Sequence, residues 1–300
     1  MPSPSSSLAS PIIEIDSLSR RFRDKLALDE LSLVVPRGGV FGLIGGNGAG
    51  KTTLLRHVLG MLKAQSGRVS VFGVDPVNQP VSVLGRIGYL SEDRDLPNWM
   101  QIRELIRYTQ AFYPQWDVEY AEELRRAFDL DPKAKVQNLS RGQRARAGLL
   151  VALAHRPELL LLDEPSSGLD PVVRRDILGA IIRTIADEGG TVLFSSHLLD
   201  EVERVADRVA IIHQGKILLT ASMDEIKDSH RRLTLRFEQA LKQPPPLVGA
   251  LSSEGSGSEW TYVCSGQPEE LRRAAESLGA TVVDDSALSL DEVFISRIAP

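Results

Sequence analysis

The chain is short of several features that would fix its class at once. It has one cysteine, Cys264, among 300 residues, which excludes an internal disulfide framework and a cysteine-rich metal centre. No run reaches the roughly 18 apolar residues of a membrane span. The opening Met1-Pro2-Ser3-Pro4-Ser5-Ser6-Ser7 has neither the basic nor the apolar region of a secretory leader. Neither sign of charge dominates: 35 Lys and Arg stand against 40 Asp and Glu, a net charge of −5. The arginine pairs at 125–126, 174–175, 231–232 and 272–273 fall on segments that read mostly as helix, so they describe solvated faces rather than a nucleic-acid stripe. These absences fit a cytoplasmic protein. What is present is bulk, with 42% apolar residues, enough for one large domain and a small one.

The most informative stretch is Val40-Phe41-Gly42-Leu43-Ile44-Gly45-Gly46-Asn47-Gly48-Ala49-Gly50-Lys51-Thr52-Thr53. An apolar strand runs into a glycine loop of pattern G-x-x-x-x-G-K-[ST], whose backbone N–H groups turn inward around phosphate oxygens. Leu54, Leu55, Val58, Leu59 and Leu62 then recur at helical spacing, so the loop ends at a helix N-terminus, which favours an anion. Lys51 is placed for the terminal phosphates and Thr52 for Mg²⁺. A glycine-rich turn with a solvated lysine is the plain alternative, and the strand before and helix after argue against it.

Ile12–Ile15, Leu31–Val35 and Arg68–Phe72 read as strands of an antiparallel layer flanking the loop. Phe22, between the first two, fits a core aromatic better than a base-stacking one when taken alone. After the strand Ile87–Leu90 the texture becomes helical: Ile102, Leu105, Ile106 and Thr109 share one spacing, and Tyr120, Leu124, Ala127 and Phe128 repeat it. This is a helical insertion over about 92–157. Its Trp99, Met100 and Trp116 suit internal packing more readily than a docking surface.

Leu139-Ser140-Arg141-Gly142-Gln143 opens a further helix. Ser140 and Gln143 form the S-x-x-Q capping pattern, and the same hydroxyl, with the Gly142 backbone, also suits a γ-phosphate. Leu159–Leu162 is a continuous apolar run of the kind buried in a parallel sheet, and Asp163 and Glu164 stand at its carboxyl end. In a P-loop enzyme the first acid holds Mg²⁺ and the second acts as general base toward water. Asp170-Pro171 starts a helix with the stripe Ile177, Leu178, Ile181, Ile182 and Ile185. His197 follows the strand Thr191–Ser195; a lone histidine is usually structural, but its position just past a strand end, on the same edge as Glu164, strengthens the case for a catalytic role. Beyond Ile226 an alternating strand at 233–237, a Ser/Gly loop at 252–258, a strand at 260–263, a helix from Pro268, a strand at 281–283 and a helix at 290–298 make a small α+β appendage.

Taken in order, these motifs resemble the nucleotide-binding subunit of an ABC transporter over residues 12–226. The phosphate loop matches Walker A, 139–143 is similar to the LSGGQ signature, Asp163 and Glu164 to Walker B with its glutamate, Ser167-Gly168-Leu169-Asp170 to the D-loop, and His197 to the switch histidine. The resemblance implies an α/β P-loop ABC-type nucleotide-binding domain over 11–226, with an antiparallel β layer and a helical subdomain, preceded by a disordered tail over 1–10 and followed by an accessory α+β domain over 227–300. Phe22 becomes the aromatic that stacks on adenine. Gly45, Asn47, Gly48, Ala49, Gly50, Lys51, Thr52 and Thr53 hold ATP, and Thr52, Asp163 and Glu92 face Mg²⁺. Glu164 and His197 are the catalytic pair. Ser140, Gly142, Gln143 and Asp170 complete the nucleotide site of a second such subunit, identical or paralogous.

Three positions depart from the family pattern. Glu92 stands for the usual glutamine after its strand, Arg141 for the first signature glycine, and Gly46 for a common proline. Because Glu164 and His197 are kept, an active ATPase is expected. The 112–117 segment and the ending Leu290-Asp291-Glu292-Val293-Phe294 look like export-type subunits, which implies separately encoded membrane permeases and a location on the inner face of the membrane. The rival is a soluble ABC-type ATPase working on ribosomes or nucleic acid. It calls for a second motif set, a coiled coil or a basic surface, none of which this sequence carries.

Overall fold

The computed structural model describes residues 10–298, without the side chains of 183–188. The tail expected to be disordered lies outside the described residues but for Ser10. Two compact units emerge: the chain up to Leu198 together with Val205–Leu219, and Leu199–Arg204 together with the chain from Thr220.

The first unit begins with β1 (Ile13–Phe22) and β2 (Lys25–Val35), followed by β3 (Gly39–Ile44), α1 (Lys51–Val58), β4 (Ser66–Val71), α2 (Pro80–Leu84) and β5 (Ile87–Leu90). Then come α3 (Ile102–Gln110), α4 (Val118–Ala127) and α5 (Arg141–Leu153), and after them β6 (Leu159–Asp163), α6 (Pro171–Glu188) and β7 (Thr191–Ser196). α7 (Leu199–Val205) falls to the second unit but for Val205; β8 (Arg208–His213) and β9 (Lys216–Ser222) follow, β9 leaving the first unit after Leu219. β2, β1 and β4 form the antiparallel layer, in that order, with β1 pairing both neighbours antiparallel. The first two strands are longer than their apolar segments suggest, so Phe22 closes β1 at the hairpin tip.

The six-stranded sheet runs β5-β6-β7-β3-β8-β9, with β5 to β8 all in parallel register. Its central strands are buried along their whole length, as parallel strands covered on both faces must be. α1 packs on β2 and β4 of the small sheet and on β6 of the large one. One core therefore joins Ile13, Leu31 and Val35 of the layer to Leu43, Leu54, Val58, Leu161 and Leu193. α1 stops at Val58, and Gly60 at φ +71° turns the chain, so Leu62 lies beyond the helix that its spacing suggested. α5 packs on β5 and on α3, α4 and α6, tying the helical segment to the sheet.

Two expectations need correction. Trp99 is 72% exposed and does not pack inside the insertion, whereas Met100 and Trp116 are half-buried, Trp116 against the Tyr113 ring. On α6 the buried stripe is Val173, Ile177, Ala180 and Ile181, whereas Ile182 faces out; the side chain of Ile185 lies outside the described residues.

The second unit contains α8 (Met223–Ser229), β10 (His230–Leu241), β11 (Ala250–Ser265), α9 (Pro268–Ser277), β12 (Thr281–Ala287) and α10 (Leu290–Ile298). β10 lies between β11 and β12, antiparallel to both. Leu233, Leu235 and Phe237 alternate inward to meet Trp260, Tyr262 and Cys264, and Leu271 and Ala275 of α9 join this core. Burial pushes the Cys264 thiol up to about 12, so it packs as an apolar residue. The Ser/Gly stretch 252–258, expected as a loop, is strand. The outer end of β10 pairs Leu241 with Gly257, while Gly255 at φ +143° and Gly257 at φ +64° absorb the register shift.

Candidate active site

In a parallel sheet ligands gather outside the carboxyl ends of the strands, where the strand order switches direction. Here that point is β3, flanked by β7 and β8. In register, Ile44 lies beside Ser196, and Ser195 beside Asp163. The end of β3 therefore delivers the phosphate loop, β6 delivers the two acids, and β7 delivers Ser195 and His197.

The loop's glycines are dictated by close approach. A Cβ on Gly45 would fall 2.4 Å from the Ile212 carbonyl, and one on Gly50, at φ +118°, 2.8 Å from that of Ala27. The loop is held between the backbones of β2 and β8, and no other residue fits these two positions. Gly46, by contrast, has nothing within 4 Å of its Cβ position, which explains why a side chain is acceptable there. α1 starts at Lys51 with Gly50 as its N-cap and no side-chain cap, so its first N–H groups stay available to an anion.

Above the loop is a cleft of about 220 Å³. Asn47, Gly48, Gly50, Lys51, Thr52 and Thr53 form its floor, with Phe22, Glu92 and Glu164 on its sides. The Phe22 ring, 41% exposed, has the Arg20 guanidinium 4.6 Å from its centroid. This is a cation–π contact, not core packing, and it leaves the aromatic on the cleft rim.

The charged groups interlock. Lys51 Nζ donates to the Gly45 and Gly46 carbonyls at 2.6 and 3.2 Å and stands 3.0 Å from Glu164 Oε1. The other oxygen, Oε2, accepts from His197 Nδ1 at 2.6 Å. Facing a carboxylate, Nδ1 carries the proton. Glu164 has φ 47°, a left-handed backbone that non-glycine residues adopt mainly where surroundings enforce it. Its own N–H is anchored on the Ser195 hydroxyl at 3.0 Å. That hydroxyl donates to Asp163 Oδ1 at 2.7 Å, and the Thr52 hydroxyl also bonds the Asp163 carboxyl. Burial pushes the Asp163 carboxyl up, against these hydrogen bonds. With Thr52 it offers oxygen donors only.

Phe22, Asn47, Gly48, Gly50, Lys51, Thr52, Thr53, Glu92 and Glu164 thus converge on one cleft, Gly45 and Ala49 shape its loop, and Asp163 and His197 contact its members. Ser140, Gly142, Gln143 and Asp170 do not line it. Ser140 and Gln143 complete a reciprocal capping box at the start of α5, and Asp170 caps α6 through the N–H groups of Val172 and Val173. A Cβ on Gly142 would fall 2.7 Å from Val173 Cγ2. Sequence reading missed Lys25, which lines the cleft with Nζ 3.4 Å from the Cβ position of Gly48. It also missed Ser195. Both are brought in by strand pairing rather than by a local motif, though Ser195 sits beside His197 at a strand end.

A switch-point phosphate loop, a buried acid pair and a strand-end histidine define a P-loop nucleotide-binding domain. The family profile described as ABC transporter matches residues 28–167. An ABC transporter ATP-binding protein of Bacillus subtilis, YdbJ, is 35% identical over 297 residues, 96% of each chain. A daunorubicin resistance ATP-binding protein of Streptomyces coeruleorubidus is 36% identical over 225 residues, 73% of this chain and 71% of its own. A solved ATP-binding subunit of an ABC transporter superposes with TM-score 0.67 and 28% identity, over 72% of this chain and 92% of that one. The chain belongs to the ABC transporter ATP-binding proteins. It is an ATPase subunit, binding and hydrolysing ATP to drive transport.

Proposed function

We propose that this chain powers export through separately encoded membrane permeases, with an ATP site completed by a second nucleotide-binding chain. The observation that carries the reading is the Lys51–Glu164–His197 cluster at the phosphate loop, with Ser140 and Gly142 away from the same cleft. Groups of the signature segment that do not serve their own cleft are available to a neighbour's. Two such chains, identical or paralogous, then share each nucleotide: the loop, Lys51 and Thr52 bind it from one side, and Ser140 and Gly142 bind its last phosphate from the other. ATP favours the closed pair by the contacts it makes only there.

Within the cleft, Lys51 pairs with phosphate oxygens and Phe22 stacks on adenine. Glu164 accepts a proton from water, and His197 orients the Glu164 carboxylate through its Nδ1–H. Thr52 and Asp163, with Glu92 nearby, form an oxygen-only donor set that suits Mg²⁺, which when bound neutralises phosphate charge. Residues 11–226 carry this chemistry, and 227–300 serve an accessory role.

Export is supported by the relative named for daunorubicin resistance, since a transporter confers resistance by removing a compound. Among the described residues no helix is long and apolar enough to cross a membrane; in this reading the transport path belongs to partner subunits and the chain sits peripherally on the cytoplasmic face. The ribosome or nucleic-acid reading is disfavoured by the net charge of −5. The test is co-purification of the tagged chain with a polytopic membrane protein encoded by a neighbouring gene, together with sedimentation of Glu164→Gln in ATP. A membrane complex and an ATP-dependent dimer are expected; recovery only with ribosomes, or a monomer at saturating ATP, would overturn the proposal.

A further inference from the structure

The segment after β5, Ser91–Asp95, carries one side chain that turns inward. Arg94 is 4% exposed and holds φ 52°, a backbone state that survives only where surroundings impose it. Its Nη2 donates to two carbonyls of a single turn, Pro165 at 3.2 Å and Ser167 at 2.9 Å. That turn starts at Glu164, whose carbonyl accepts from Ser167 N–H at 3.1 Å. It ends at Gly168, φ +64°, against which the Arg141 guanidinium lies so closely that a Cβ would fall 2.2 Å from its Nη1. Arg94 thus holds the turn by two hydrogen bonds and the Arg141 guanidinium lies against its end, although burial and repulsion from Arg141 both act against Arg94 carrying its charge.

A buried cation is a poor device for stability alone. Among the described residues Arg94 Nε has no partner, and an apolar side chain of similar length would avoid the desolvation that the guanidinium incurs. What the arginine provides is direction: charge-assisted bonds fix two of the three carbonyls that follow Glu164, those of Pro165 and Ser167. The turn's placement in turn sets where the Glu164 carboxylate points.

We propose that Arg94 is a positioning residue for ATP hydrolysis, tying the segment that bears Glu92 to the turn that aims Glu164, with the Arg141 guanidinium packed against Gly168 at the turn's end. This rests on Glu164 acting as the base. Displacement of the 91–95 segment is then transmitted to the base directly, through two hydrogen bonds.

The test compares steady-state turnover, KM, equilibrium ATP binding and thermal midpoint of the full chain as wild type, Arg94→Met, Arg94→Lys, Arg141→Gly and Glu164→Gln. Arg94→Met is expected to lower kcat about 100-fold, the scale set by a misplacement near 1 Å, with KM and ATP affinity within about twofold. Arg94→Lys, which keeps a cation for the carbonyls, is expected to recover part of that loss. Unchanged kcat in Arg94→Met, or a raised KM with kcat intact, overturns the inference. Should Arg94→Met fail to fold, Arg141→Gly at the exposed signature position decides. It is expected to lose about tenfold in kcat, less than Arg94→Met because it removes packing at the turn's end and not the two hydrogen bonds, while Glu164→Gln/Arg141→Gly still dimerises on ATP, and full kcat overturns the inference. Glu164→Gln separates the two claims: if it keeps turnover the base assignment falls, whereas if it is inactive and Arg94→Met is normal only the positioning role falls.

Discussion

The Lys51 ammonium and the Glu164 carboxylate face each other at 3.0 Å, both side chains more than nine-tenths buried. In the sequence they are separated by the whole helical insertion. The α1 start and the β6 end meet because β7 alone separates β6 from β3. On the proposed reading the pair joins the group that holds phosphate to the group that activates water, so substitution of either is felt by the other.

Lys51→Ala is expected to abolish ATP binding in a nucleotide titration, because the loop loses its one cation aimed at the terminal phosphates. The substitution also leaves a buried carboxylate without its ammonium, a change that costs about 3 kcal/mol at the low end of such deletions. His197 still contacts Glu164, which keeps the loss at that end. Retained affinity would contradict the phosphate-loop assignment.

The loop's glycines are expected to divide sharply. Gly45→Ala drives a methyl into the Ile212 carbonyl, 2.4 Å from the Cβ position, whereas Gly46→Ala meets nothing within 4 Å. The first should fail to bind ATP or to fold, and the second should stay within about 0.5 kcal/mol of wild type by chemical unfolding. Equal effects at the two positions would refute the close-approach argument.

His155, 3% exposed and stacked on Tyr113 at 3.8 Å, donates through Nε2 to the Ile87 carbonyl. Burial pushes its pKa down from 6.5 to about 4. Between these values the unfolded chain binds a proton that the folded chain refuses, so stability rises with pH there. The contribution is complete above pH 6.5 and is lost as pH falls toward 4, by about 3 kcal/mol in all at ~1.4 kcal/mol per tenfold change in proton affinity. A Tm series over this window is expected to fall more steeply for wild type than for His155→Gln. Parallel curves would refute it.

Much of this architecture is legible in the sequence because its signals are local. The phosphate loop, the four leucines before Asp163 and the Asp170-Pro171 start each combine a distinctive pattern with a physical requirement at one place in the chain. Lys25, Ser195 and Arg94 are illegible for the opposite reason. Each acts through a neighbour supplied by tertiary pairing, Arg94 across 71 and 73 residues. The Ser/Gly stretch in β11 misleads because its composition favours turns while its partner strand imposes extension. Trp99 misleads because aromatic content signals burial without saying whether a chain's own core supplies it. Glu164 is singled out by its place after the leucines, but its left-handed backbone and its contacts with buried Lys51 and exposed His197 emerge only from the fold.

Release of phosphate by wild type and by Glu164→Gln, measured beside ATP binding to both, bears most directly on this site. The glutamine keeps the shape of the side chain and removes the proton acceptor. Binding is expected to persist while turnover falls at least about 100-fold, the lower bound for loss of a general base. Undiminished phosphate release by Glu164→Gln would contradict the assignment of Glu164 as the group that activates water.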